Sequence, residues 1–213
     1  MPFIFDNLTA TVIAMTVILI LSSIQMRSTR QQVAQTSSQI VQDRSRQITE
    51  WVEEDLNRIG QNMTQSEVAF EDPKENKKWL TERFVFDRKV IQTDGSVDRI
   101  KTRYQVNSTG NTREIYVDGE TKAVELYELV RWTKVVGGSG GWTDKGGASA
   151  LEYFDVDLLD QNAEPVLDPV ENEARIRSVR IRFSVLAPFQ NSEMSFPASR
   201  TNVVVGRYPL GDS

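Results

Sequence analysis

Hydrophobic and polar positions follow three regimes along the chain. From Leu8 to Ile24 every residue is apolar or a small hydroxyl, with no charge among them. Beyond Arg27 the apolar positions thin to a stripe at Val33, Ile40, Val41, Ile48, Trp51, Val52, Leu56, Ile59 and Met63. That spacing is close to the helical repeat of about 3.6 residues. After a polar link from Asn62 to Lys78, which contains Pro73, the repeat becomes two.

The first run reaches the lower limit for a transmembrane helix, and Phe3 to Phe5 can lengthen it. Its polar side chains, Thr9, Thr11, Thr16, Ser22 and Ser23, are tolerable in lipid because a helical hydroxyl can bond back to a preceding carbonyl. A cleaved signal peptide needs basic residues before the run and a small-residue cleavage site after it. Nothing basic precedes the run, and SSIQMRSTRQQ follows it, so a retained anchor is expected. Arg27 and Arg30 flank its far end, and the positive-inside rule taken alone places that end in the cytoplasm.

Neither Pro nor Gly occurs between Phe3 and Arg58. One helix of more than fifty residues is therefore expected, lipid-facing first and amphipathic afterwards, ending near Gly60. Glu54 and Arg58 stand in the favourable i,i+4 order. Trp51, Val52, Leu56 and Ile59 share a face that a solvated stalk does not need, and a sheet from the same chain is the expected partner. Between Gln31 and Gln47 the stripe is thin and rich in Gln and Ser. That part is expected either to fray or to pack on other subunits.

In VDRIKTRYQV, Ile100, Tyr104 and Val106 alternate with Arg99, Lys101, Arg103 and Gln105. In RSVRIRFSV, Val179, Ile181, Phe183 and Val185 alternate with Ser178, Arg180, Arg182 and Ser184. Both read as strands buried on one face. Turn signals at Asp94-Gly95, Asn107 to Gly110 and Asp118-Gly119 separate strands expected over 83–91, 97–106, 112–118 and 122–136. Further strands are expected over 150–159, 175–186 and 201–208. The reading is an α+β fold: transmembrane segment 1–26, amphipathic helix 27–63, antiparallel β domain 64–213.

Composition narrows the chemistry. The 213 residues include no Cys and no His, which removes thiol nucleophiles, disulfides, the usual zinc sites and the commonest general base. A net charge of −5 argues against nucleic acid as a partner. The glycine-rich stretch from Gly137 to Gly147 holds Lys145, but two glycines follow it where a Walker loop needs Ser or Thr opening a helix. It reads as a flexible loop whose Trp142 packs on a neighbour. Asp155, Asp157 and Asp160 lack the spacing, Gly and terminal Glu of an EF-hand. They are read as facing water rather than calcium, and Arg175, Arg177, Arg180 and Arg182 as a solvated face. No catalytic dyad or nucleophile elbow is visible. Neither enzyme activity, cofactor, metal nor small-molecule substrate is expected.

The order of parts resembles the type IV pilin and type II secretion pseudopilin superfamily: a short polar start, a membrane helix continuing into an amphipathic one, then an antiparallel sheet. The stretch LEYFDVDLLDQNAEPVLDPVENEARIRSVRIRFSVLAPF is similar to the C-terminal part of PilW-like minor pilins and type J minor pseudopilins. The resemblance implies a structural subunit anchored in the inner membrane, with its sheet domain on the periplasmic or extracellular side. Its implied partners are the bilayer and other pilin-like subunits, met through the helix. With Met1 removed, Asp6 becomes the fifth residue and PFIFD aligns with the family's FTLIE. The resemblance then implies that Asp6 pairs with a neighbour's N-terminal ammonium. Asp stands where the family has Glu, and no basic leader ending in Gly precedes the run. The other reading left open is a single-pass membrane-anchored envelope protein whose β domain binds a ligand or senses the envelope.

Overall fold

The computed structural model describes residues 2–63, 67, 70, 71, 73–77, 80–117, 120–187 and 199–207, and side chains for all of these except 2–7, 74–77, 116, 117, 199 and 207. One helix, α1 (Pro2–Leu56), is followed by β1 (Lys74–Lys77), β2 (Leu80–Ile91), β3 (Val97–Val117) and β4 (Glu120–Val135). Then come β5 (Thr143–Leu159), a short 3₁₀ turn (Glu173–Arg175), β6 (Ser178–Leu186) and β7 (Ser199–Arg207). The strands form one sheet in sequence order, with every neighbouring pair antiparallel. The fold is α+β, a meander with a long helix laid over it.

The unbroken helix-forming sequence explains α1, and the turn after it explains where it stops. Gly60 takes φ +69, a left-handed conformation that favours glycine, and its N–H donates to the Asp87 carbonyl on β2 at 2.9 Å. Lys89 N–H on the same strand donates to the Gln61 carbonyl at 2.9 Å. The helix end is thus stitched to the sheet by backbone.

The inward face of the sheet carries Phe84, Phe86, Tyr104, Leu129, Phe154 and Ile181, all buried. The rings of Phe84, Phe86, Tyr104 and Phe154 follow one another at centroid distances of 5.5, 5.7 and 6.1 Å. The sheet curls enough for β2 to meet β5, where Val156 N–H donates to Thr81 Oγ1 at 3.0 Å.

Two expectations about strands are corrected. Asn107 to Gly110 does not turn the chain. β3 runs through it as a bulge, the register passing from Ser108↔Tyr127 to Thr112↔Glu125. The Ser108 and Thr109 hydroxyls accept from the Gly110 and Asn111 amides at 3.1 and 3.3 Å, so backbone groups that leave the ladder find partners inside the bulge. β5 starts at Thr143 rather than at 150, and β6 at Ser178 rather than at 175. The expected turn at Asp118-Gly119 lies outside the described residues.

Candidate functional site

The first part of α1 is apolar and bare. Large side chains from Leu8 to Met26 are between 49 % and 70 % exposed all round the helix. Such a surface has no place in water over this length, and the helix is long and apolar enough to cross a membrane. Thr16 Oγ1 donates to the Val12 carbonyl and Ser23 Oγ to the Ile20 carbonyl, both at 2.8 Å, which hides the hydroxyls. Asp6 lies on this helix, with its side chain outside the described residues.

The second part is seated on the sheet. Ser37, Val41, Ser45, Ile48, Val52, Asp55, Leu56 and Ile59 form one buried line along α1 and the turn after it. Trp51, expected among them, is half-buried. The Gln- and Ser-rich stretch stays helical, and from Ser37 onward it is buried along one line within the chain. Its serines are small enough to let the helix come close, and Asn202 Nδ2 on β7 donates to Ser45 Oγ at 2.9 Å. Further along, Gly206 lies so near α1 that a Cβ on it would stand 2.6 Å from Leu56 Cβ. The pairs 45–202 and 56–206 show that α1 and β7 run in the same direction.

Asp55 is the one ionised side chain on this buried line, 1 % exposed. Strand alternation on β3 and β4 brings Tyr104 and Arg131, register partners, to the same inward face. Arg131 donates through Nε to Asp55 Oδ2 at 2.6 Å and through a terminal nitrogen to Oδ1. Tyr104 O–H donates to Oδ2 at 2.5 Å. A buried carboxylate is costly unless its lone pairs are filled, and this forked pair with a third donor fills them. Burial, then the Asp55 charge, push the Tyr104 hydroxyl well above its ordinary pKa. Burial works against the Arg131 charge, but the Asp55 hydrogen bonds and field win and raise its pKa. The arrangement locks helix to sheet; its tyrosine is a donor held neutral.

A cleft of about 670 Å³ opens beside this lock, between the end of α1, the inward face of β2–β4 and the loop Gly138–Gly141. Arg58, Arg88, Arg131 and Lys145 line it against a single carboxylate, Glu54. Lys134 lies in the wall, but as the register partner of Lys101 it belongs to the outward face. Arg58 pairs with Glu54 at 2.8 Å and Arg131 with Asp55, leaving Arg88 and Lys145 without an ion pair among the described residues.

Other expected surface features find partners within the chain. Asp157 pairs with Arg180 at 2.7 Å, and Asp155 with Arg182, in a ladder across β5 and β6. They do not simply face water, and the arginine face is not merely solvated. Asp160 accepts from the Glu164 and Asn162 amides at 3.1 and 2.8 Å, which holds its pKa below the usual carboxylate range. No group of three or more metal-ligating side chains occurs among the described residues. Trp142 packs on its own chain: the Arg103 guanidinium stands 4.4 Å from its ring centre and 5.5 Å from that of Trp132.

Asp55, Arg131 and Arg88 escaped the sequence reading, although a signal existed for each. Asp55 falls between Val52 and Leu56 on the apolar stripe. Arg131 continues the inward parity of Tyr127 and Leu129, and Arg88 that of Phe84 and Phe86. Family models, curated proteins and solved structures were compared with the chain, and none matches.

Proposed function

We propose that this chain is a non-catalytic, membrane-anchored subunit that assembles with other pilin-like chains through the bare half of its helix. One observation carries the reading: α1 passes without a break from an apolar surface to a seat locked by a buried ion pair. A tether needs no fixed orientation relative to the domain it holds. Here Asp55, Arg131 and Tyr104 fix the rotation of the helix on the sheet, so its apolar half projects at a set angle. A helix-packed assembly requires that geometry, and a loose anchor does not.

In this reading the first half of α1 lies in the inner membrane and the sheet domain stands on the periplasmic or extracellular side. The Arg27 and Arg30 bias is then overridden. Asp6 meets the N-terminal ammonium of an adjacent subunit, since a carboxylate near hydrocarbon is costly unless paired. The partners are the bilayer and sister subunits.

The test is co-purification of the tagged full chain from native membranes. Wild type should carry other single-helix subunits with it. Asp6→Asn should insert normally but lose them, and Asp6→Glu should keep them. If Asp6→Asn retains the same partners at the same yield, Asp6 is an interfacial residue and the charge pairing is wrong. If wild type comes out alone, a single-pass envelope protein with a ligand-binding β domain replaces this reading. The cleft beside the lock is the feature that favours that alternative.

A further inference from the structure

We propose that the cleft between α1, the β2–β4 face and the glycine-rich loop binds a small oxyanion, a phosphate or carboxylate group, with Arg88 as its main contact. This goes beyond the assembly role and does not depend on it. The cations of the cleft differ in occupation. Arg131 is taken by Asp55, and Arg58 by Glu54. Arg88 has neither an ion pair nor a hydrogen bond among the described residues, and its Nε is buried without a partner. A guanidinium held half-buried beside two other arginines is unfavourable unless something anionic meets it. Burial, then the Arg58 charge, lower the Arg88 pKa, and the nearby Asp55 and Glu54 carboxylates offset this only in part.

The rest of the wall suits the same ligand chemistry. Lys145 brings a second cation from the exposed start of β5, and Thr133, Ser139 and Thr143 bring hydroxyls. Gly138, Gly140 and Gly141 present backbone without side chains, so a ligand can approach the loop closely. The loop is not a Walker loop, because no helix follows it. A planar guanidinium fork matches phosphate and carboxylate oxygens two at a time, while Lys145 adds a mobile point charge. The volume falls within the range of small-molecule sites.

Inorganic phosphate and succinate serve as the two probes, each titrated into the detergent-solubilised full chain at constant ionic strength balanced with sodium chloride. Thermal unfolding followed by tryptophan fluorescence is the readout. At least one probe should raise the Tm saturably, and the tighter one names the class. Arg88→Gln should weaken that binding roughly ten-fold or more. Its ligand-free Tm should stay equal to wild type or rise, because a structural arginine would lower it. Lys145→Gln, at the exposed start of β5, should weaken binding several-fold and takes the place of Arg88→Gln if that variant folds poorly. The proposal is overturned if neither probe gives a saturable shift. It is equally overturned if binding survives Arg88→Gln, or survives Lys145→Gln where the first variant does not fold. Neither failure touches the assembly reading, which the co-purification of other single-helix subunits with wild type tests.

Discussion

At the scale of single residues, Asp55 decides how the helix sits. Its carboxylate is almost wholly buried, and Arg131 with Tyr104 fills its lone pairs. Removing one partner of such a pair leaves a buried charge, so Arg131→Met in the full chain should cost about 3–5 kcal/mol in chemical unfolding. Replacing the whole set with Asp55→Leu, Arg131→Met and Tyr104→Phe should recover most of that loss, because no polar group is then stranded. A triple variant as unstable as the single one would mean that the ion pair contributes net stability. Tyr104 adds a pH signature. Its folded pKa lies above the unfolded value of about 10, so the unfolded chain loses a proton that the folded chain keeps. The stability it contributes is full below about pH 10 and falls as the pH rises through that window. The Tm drop from about pH 9 to about pH 11 should therefore shrink in Tyr104→Phe. An equal drop would exclude Tyr104 as its source.

At the scale of elements, much of the fold was legible because two periodicities carry it. The helical stripe and the alternating strands predict an α+β meander, and the structure has one. What was not legible depends on contacts between elements. The Gln31 to Gln47 stretch looks too polar to pack, yet Ser37 and Ser45 are buried on one line with Val41 and Ile48, and Ser45 is held by Asn202 of β7. Asn107 to Gly110 has turn composition, but hydroxyl bonds inside the bulge and continued pairing with β4 carry β3 through it. The ladder of Asp155, Asp157, Arg180 and Arg182 needs the β5–β6 register, which alternation alone does not give. Gly206 follows the same logic as the serines. Gly206→Ala would press a methyl group to 2.6 Å from Leu56 Cβ, next to the helix backbone, where little can move. It should destabilise the domain by about 1–3 kcal/mol in denaturant titration. A cost below about 0.5 kcal/mol would mean that α1 can lift from β7 without loss. Burial of Val52, Leu56 and Ile59 at about 1.5–3 kcal/mol each argues against that outcome.

At the scale of the whole molecule, one unbroken helix joins a bare apolar half, suited to lipid, to a half seated on the sheet. The complete absence of cysteine makes that arrangement directly measurable, because each introduced thiol is the only one. Val17→Cys, Asp43→Cys and Val52→Cys place single probes on the bare apolar half, the exposed side of the seated half and the buried stripe. The measurement is the labelling rate of each with a membrane-impermeant maleimide, first in intact membranes and then after denaturation in detergent. Asp43→Cys, on the exposed side of the seated half, should label at once. Val17→Cys and Val52→Cys should stay unlabelled until denaturation, the first shielded by lipid and the second by the sheet. If Val17→Cys labels in intact membranes as fast as Asp43→Cys, the apolar half is not in a bilayer and the account fails.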